Sequence, residues 1–206
     1  MLPGKDTTMS LAQSERAGLA GDLDRLGPDA PTLDKGWTTN DLLTHMLLRE
    51  NDPLAIPGMA VDLLDETTTA RARRLEASTT FDERVAQFRR GPKPWSAFRI
   101  PLLDRVANGA EFFVHHEDVR RAQETWHRRQ LLQEEERDLW AALKLMGKAL
   151  LRPEQDSVLL VANGYGSVTG GKAKTSTVRI VRGTPSELLL WAFGRREQAE
   201  VAITDE

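Results

Sequence analysis

The stretch Asn108-Gly-Ala-Glu-Phe-Phe-Val-His-His-Glu-Asp-Val-Arg-Arg-Ala122 places Glu111 and His115 four residues apart within a helical pattern. At about 3.6 residues per turn, that spacing sets the two side chains next to each other on one helix. A carboxylate and an imidazole so placed can meet one metal ion, but they supply only half of a tetrahedral site. A third ligand must come from another element. The apolar residues Leu103, Val106, Ala107, Ala110, Phe113 and Val114 share one arc of the same pattern, and the Glu-His pair borders it. The helix is predicted from Leu102 to about Thr125, with a buried side and a chemically useful edge.

The rest of that edge is polar. Asp104, Asn108, Glu111, His115 and Asp118 fall along one line, which makes Asn108 and Asp118 the natural groups to orient metal ligands. The alternative is a solvated polar stripe. His116 lies about 100° around the helix from His115 and reads as a surface or interhelix residue, with ligation as its secondary role. Glu117 and Arg121 form an i,i+4 pair on the apolar arc, readable as a buried ion pair or as a clamp for a substrate carboxylate.

Working towards the N-terminus, Gly91-Pro-Lys-Pro94 and Pro101 are breaks. Phe81 to Phe88 and Glu66 to Ala77 are helix-prone, and residues 52–64, with Pro53, Pro57 and Gly58, suit a long connection. Before them, Thr38 and Asp41 form a capping box ahead of Leu42-Leu-Thr-His-Met-Leu-Leu48, predicting a helix to about Glu50. Leu19, Leu23 and Leu26 mark a first helix from Leu11 to Leu26, closed by Gly27-Pro28. Residues 1–8 read as a disordered extension.

Towards the C-terminus, Leu131 to Leu151 carries Leu139, Leu143, Met146 and Leu150 at helical spacing and stops at Arg152-Pro153. The texture then changes. Residues 157–162 and 177–181 read as strands, residues 185–193 as a short helix and residues 200–203 as a closing strand, with Gly164 to Gly171 a turn-rich loop. The expected class is α+β: an up-and-down helical bundle over residues 9–152, then a small α/β unit over 153–206.

Composition limits the chemistry. The chain has 206 residues, 40% hydrophobic and 29% charged, with a formal net charge of -3, which describes a globular protein and disfavours nucleic acid or an anionic membrane as partner. No apolar run is long enough for a membrane helix and no signal-peptide layout is present, so a cytoplasmic protein is expected. Oligomeric state, monomer or homodimer, is open. There is no cysteine, so disulfides, thiolate ligands and a cysteine nucleophile are excluded together. Any metal site must use nitrogen and oxygen donors, and the histidines are His45, His115, His116 and His127.

His45 is the third-ligand candidate, because it borders the apolar arc of Leu42, Leu43 and Met46 and so faces the bundle interior at its polar edge. A hydrogen-bonded packing role is the alternative. Arg49, Arg120 and the Arg195-Arg196 pair are candidates to receive an anionic substrate, or else solvated. The tryptophans at 37, 95, 126, 140 and 191 read as packing residues. Gly164-x-Gly166 lacks the Lys-Ser/Thr of a phosphate loop and reads as a hairpin turn.

Gly36-Trp-Thr-Thr-Asn-Asp-Leu-Leu-Thr-His45, a helical stretch, and then Glu111-Phe-Phe-Val-His-His-Glu-Asp-Val-Arg-Arg121 resemble the mycothiol-dependent maleylpyruvate isomerase family within the DinB-like superfamily, in particular its actinobacterial metal-binding branch. The resemblance covers Met9 to about Leu151 and extends more loosely through the C-terminal strands and the Arg182-Gly-Thr-Pro-Ser-Glu-Leu-Leu-Leu190 turn. It implies a DinB-like four-helix bundle binding a divalent metal, usually zinc, through His45, Glu111 and His115. It further implies that mycothiol supplies a thiolate at the open position for attack on a small electrophile. The chain departs from many relatives at Asp34-Lys-Gly-Trp37, where they carry Cys-Glu-Gly-Trp. The expected function is a zinc-dependent, mycothiol-using transferase or isomerase. The alternatives are a non-catalytic metal-binding or hydrolase-like module and a helical interaction domain whose histidines pack.

Overall fold

The computed structural model describes residues 9–51, 66–93, 96 and 108–206. Among them are seven helices and a four-stranded sheet, so the protein is α+β, and the chain divides into two compact units, Met1–Val119 and Arg120–Glu206. The expectations for residues 1–8, the 52–64 connection, Asp104, Trp95 and the start of the Glu-His helix lie outside the described residues.

In the first unit, helix α1 (Leu11–Leu26) starts at a reciprocal cap. The Gln13 N–H donates to Ser10 Oγ and the Ser10 N–H donates to Gln13 Oε1, satisfying two amides that a helix start leaves open. Gly27, at φ +77°, ends it. Helix α2 (Thr39–Asn51) opens with one half of the expected box: both the N–H and the hydroxyl of Thr38 donate to Asp41 Oδ2 at 2.8 Å. Helices α3 (Glu66–Ser78) and α4 (Phe81–Arg90) follow, α4 with a Thr80-Glu83 box, and α5 (Gly109–Arg121) carries the Glu-His pair.

Leu19 and Leu23 of α1, Leu42, Leu43 and Met46 of α2, Val85 and Phe88 of α4, and Phe112 and Val119 of α5 form one core. Each such side chain contributes roughly 1.5–3 kcal/mol on leaving water, which is what holds these helices together. A charged group is embedded there. Arg16 lies over the rings of Phe88 and Phe112 at 5.0 and 4.5 Å, and its Nη1 donates to Glu50 Oε2 at 2.8 Å and to the Phe88 carbonyl at 2.9 Å.

The second unit packs α6 (Gln133–Leu150) and α7 (Pro185–Ala192) with a sheet of strand order β2-β1-β3-β4. Strands β1 (Ser157–Ala162) and β3 (Val178–Arg182) are parallel, while β2 (Gly166–Gly171) and β4 (Ala202–Asp205) run antiparallel to them at the edges. Val158, Leu160 and Ala162 are the buried alternate residues of β1. Gly147 lets α6 approach β2 so closely that a Cβ there would stand 3.0 Å from Val168. Within this unit Arg121 and Glu187 of α7 form a buried two-bond pair at 2.6 and 3.0 Å.

Four expectations need correction. The Gly164 to Gly171 loop contains a strand: only its tip, around Gly164 at φ +81°, is a turn, and β2 pairs with β1 through backbone bonds that its glycine-rich sequence did not announce. The closing strand begins two residues later than expected, at Ala202. The division of the chain falls at Val119/Arg120 and not at 152/153, because α6 packs with α7 and β2. The Glu-His helix also ends at Arg121, short of Thr125.

Candidate metal centre

The expected ligand residues lie near one another on two helices of the first unit. One turn separates Glu111 from His115 on α5, and Glu111 Oε2 stands 3.4 Å from His115 Nε2. The His45 ring of α2 meets the His115 ring edge-on, with centroids 5.2 Å apart. On its other side His45 meets Trp37 at 5.1 Å, so this tryptophan packs against the site itself.

The other nitrogen of His115 is also engaged. Nδ1 lies 3.0 Å from Asp118 Oδ2, a fully buried carboxylate one turn further along α5, and 3.6 Å from Asp34 Oδ2. His115 therefore has a carboxylate at each ring nitrogen. Burial opposes its charge, but the hydrogen bonds to Asp118 and Glu111, with their negative charges, outweigh it and raise its pKa to about 9. Burial likewise works against an ionised Glu111, and is outweighed by the His115 hydrogen bond, then by the charge of Arg49, so its pKa falls to about 2.

Arg49 and Asn108 complete this edge. Arg49 Nη1 donates to Asn108 Oδ1 at 2.6 Å, and Arg49 Nε stands 3.3 Å from Glu111 Oε1. Of the residues expected to orient ligands or meet substrate, Asn108, Asp118 and Arg49 are all present. His116 is elsewhere: it faces α1, with Nδ1 2.7 Å from Glu15 and Nε2 3.2 Å from Asp22. The remaining candidate arginines are engaged locally, Arg120 with the His127 carbonyl, Arg195 with the Phe193 carbonyl and Arg196 with Glu154. Arg121 forms its ion pair with Glu187.

Asp34 is the residue that sequence reasoning missed. Its loop is tied down by a Pro31-Thr38 bridge, by the Trp37 N–H donating to the Asp34 carbonyl at 2.9 Å and by the Leu33 N–H donating to the Asp118 carbonyl at 3.1 Å. Among the described residues, Asp34, His115 and Asp118 offer ligand atoms all within 4.8 Å of one another and could hold a metal ion. The signal was present in the departure at Asp34-Lys-Gly-Trp37, which places a carboxylate beside a motif tryptophan.

The donors fit a divalent ion. They are imidazole nitrogens and carboxylate oxygens, and the carboxylate at Nδ1 is the partner that a metal-ligating histidine ordinarily has on its second nitrogen. Searches of protein families, curated proteins and solved structures find no match to this chain. Nor does any helix among the described residues have the length and apolarity to cross a membrane.

Proposed function

We propose that the Met1–Val119 unit is a DinB-like helical bundle that binds one divalent metal ion, zinc in the first instance, through His45, Glu111 and His115. The chain would then act in the cytoplasm as a mycothiol-dependent transferase or isomerase on a small electrophile. The observation that carries the metal reading is the convergence of a histidine from α2 on a Glu-His pair of α5 whose outer nitrogen is backed by Asp118. The thiol part rests on the family resemblance.

The roles of the chain's own groups follow from their positions. Asp118 accepts the Nδ1–H of His115, which fixes the ring and leaves Nε2 to serve as donor on the Glu111 side. Glu111 stays ionised across the physiological range. A three-ligand divalent ion with an open position lowers the pKa of a bound thiol or water. With no cysteine in the chain, the thiol must arrive as a small molecule.

A second reading has its own observation: the Asp34, His115 and Asp118 group favours an ion on the Nδ1 side, in a non-catalytic metal-binding protein. Metal content of tag-free protein separates the readings. Loss of metal in His45→Ala and Glu111→Gln, with retention in Asp34→Asn, supports the first; the reverse pattern supports the second. Protein that holds no stoichiometric metal after reconstitution overturns both. Addition of a thiol to the cobalt-substituted protein must change its visible spectrum if thiol binding is real.

A further inference from the structure

We infer that Arg49 is a positioning residue that fixes Glu111 as a one-oxygen donor. The inference rests on the His45, Glu111, His115 reading of the centre.

His45 and Arg49 are one turn apart on α2, and His115, Glu111 and Asn108 descend α5 in successive turns. His45 meets His115, and Arg49 meets Glu111 and Asn108. One step forward on α2 thus matches one step back on α5. The antiparallel register places a guanidinium beside the ligand carboxylate.

That guanidinium divides the carboxylate. Oε1 faces Arg49 Nε at 3.3 Å, and Oε2 faces His115 Nε2 at 3.4 Å. Arg49 is itself held, because its Nη1 donates to Asn108, a side chain with no exposed surface. The planar fork of an arginine can serve two acceptors at fixed separation; the single ammonium of a lysine cannot. With Oε1 on Arg49, a single oxygen of Glu111 remains on the His115 side. The placement also explains why a guanidinium sits beside a cation site at all: its cost in charge is offset by the two acceptors it engages.

Cobalt(II) loading of the full chain reads the consequence, since the intensity of its visible bands is high for four-coordinate and low for five- or six-coordinate cobalt. Wild type is expected to bind one cobalt with intense bands. In Arg49→Ala the released Oε1 lets Glu111 chelate through both oxygens, so the bands weaken several-fold while cobalt remains bound. Arg49→Lys keeps the charge but loses the fork and is expected to weaken them likewise. Unchanged bands in both variants, each holding one cobalt, overturn the inference and leave the metal reading intact. Wild type that binds no cobalt overturns the metal reading and the inference with it. A measurement on wild type alone guards against misfolded variants: on metal addition the carboxylate stretches must show the wide splitting of one-oxygen ligation, and a narrow splitting also overturns the inference.

Discussion

His116 shows how closely one residue can be specified. Glu15 and Asp22 take its two nitrogens, and a Cβ added at Gly18 would come within 2.6 Å of its Cε1. In an exposed helix, Gly18→Ala would gain about 1 kcal/mol in helix propensity. Here the ring is clamped and cannot swing aside, so overpacking at ~1–3 kcal/mol outweighs the gain. Gly18→Ala is expected to unfold at lower denaturant concentration than wild type, and an increase would show that the ring can move. The same cluster carries a pH signature. The His116 hydrogen bond leads the causes that lower Asp22 from 3.8 to about 2. A depressed acid stabilises the folded state above its unfolded pKa, and the contribution fades as pH falls from about 4 towards 2. Acid unfolding followed by circular dichroism should show that slope in wild type and a shallower one in Asp22→Asn. At this scale the sequence revealed what lies on one helix: Glu111, His115, Asn108 and Asp118 share a spacing that any reader can count. It did not reveal Asp34, Glu15 or Asp22, whose meeting with α5 depends on tertiary packing.

Elements were legible where their ends carry local chemistry. Thr38 with Asp41 announces a helix start through groups three residues apart, and the helix begins there. Strand β2 was hidden for the opposite reason. Its sequence, Gly-Ser-Val-Thr-Gly-Gly, has no apolar alternation, and its pairing comes from β1. Its glycines are nevertheless demanding: Gly170 faces the Leu151 side chain, and Gly171, at φ +87°, has no room for a Cβ because the Asp156 carbonyl oxygen occupies that space. Gly171→Ala therefore combines a left-handed backbone cost of roughly 1–2 kcal/mol with a clash against main chain. We expect markedly reduced stability of the Arg120–Glu206 unit in chemical denaturation, with hydrogen exchange accelerated first along β1 and β2. Unchanged exchange there would contradict the assigned register.

For the whole molecule, the α+β class followed from the change of texture after Pro153, but the division between units did not. Helical periodicity in residues 133–150 says that one side is buried and leaves open against what; α7 and the sheet supply the answer. The metal reading makes a prediction at this scale. An ion that binds the folded state alone stabilises it by about 2.7 kcal/mol at a hundredfold excess over its dissociation constant. Zinc should therefore raise the unfolding temperature and slow amide exchange in α2 and α5, and a chelator should reverse both. Absence of any shift in His45→Ala alongside a shift in wild type would tie the effect to this centre. Trp37 adds a practical consequence. Its indole lies 5.1 Å from the His45 ring, close enough for contact quenching, so the state of that imidazole is coupled to ultraviolet emission. On the proposed metal-binding function the centre carries its own fluorophore, and Trp37→Phe is the blank for a metal titration.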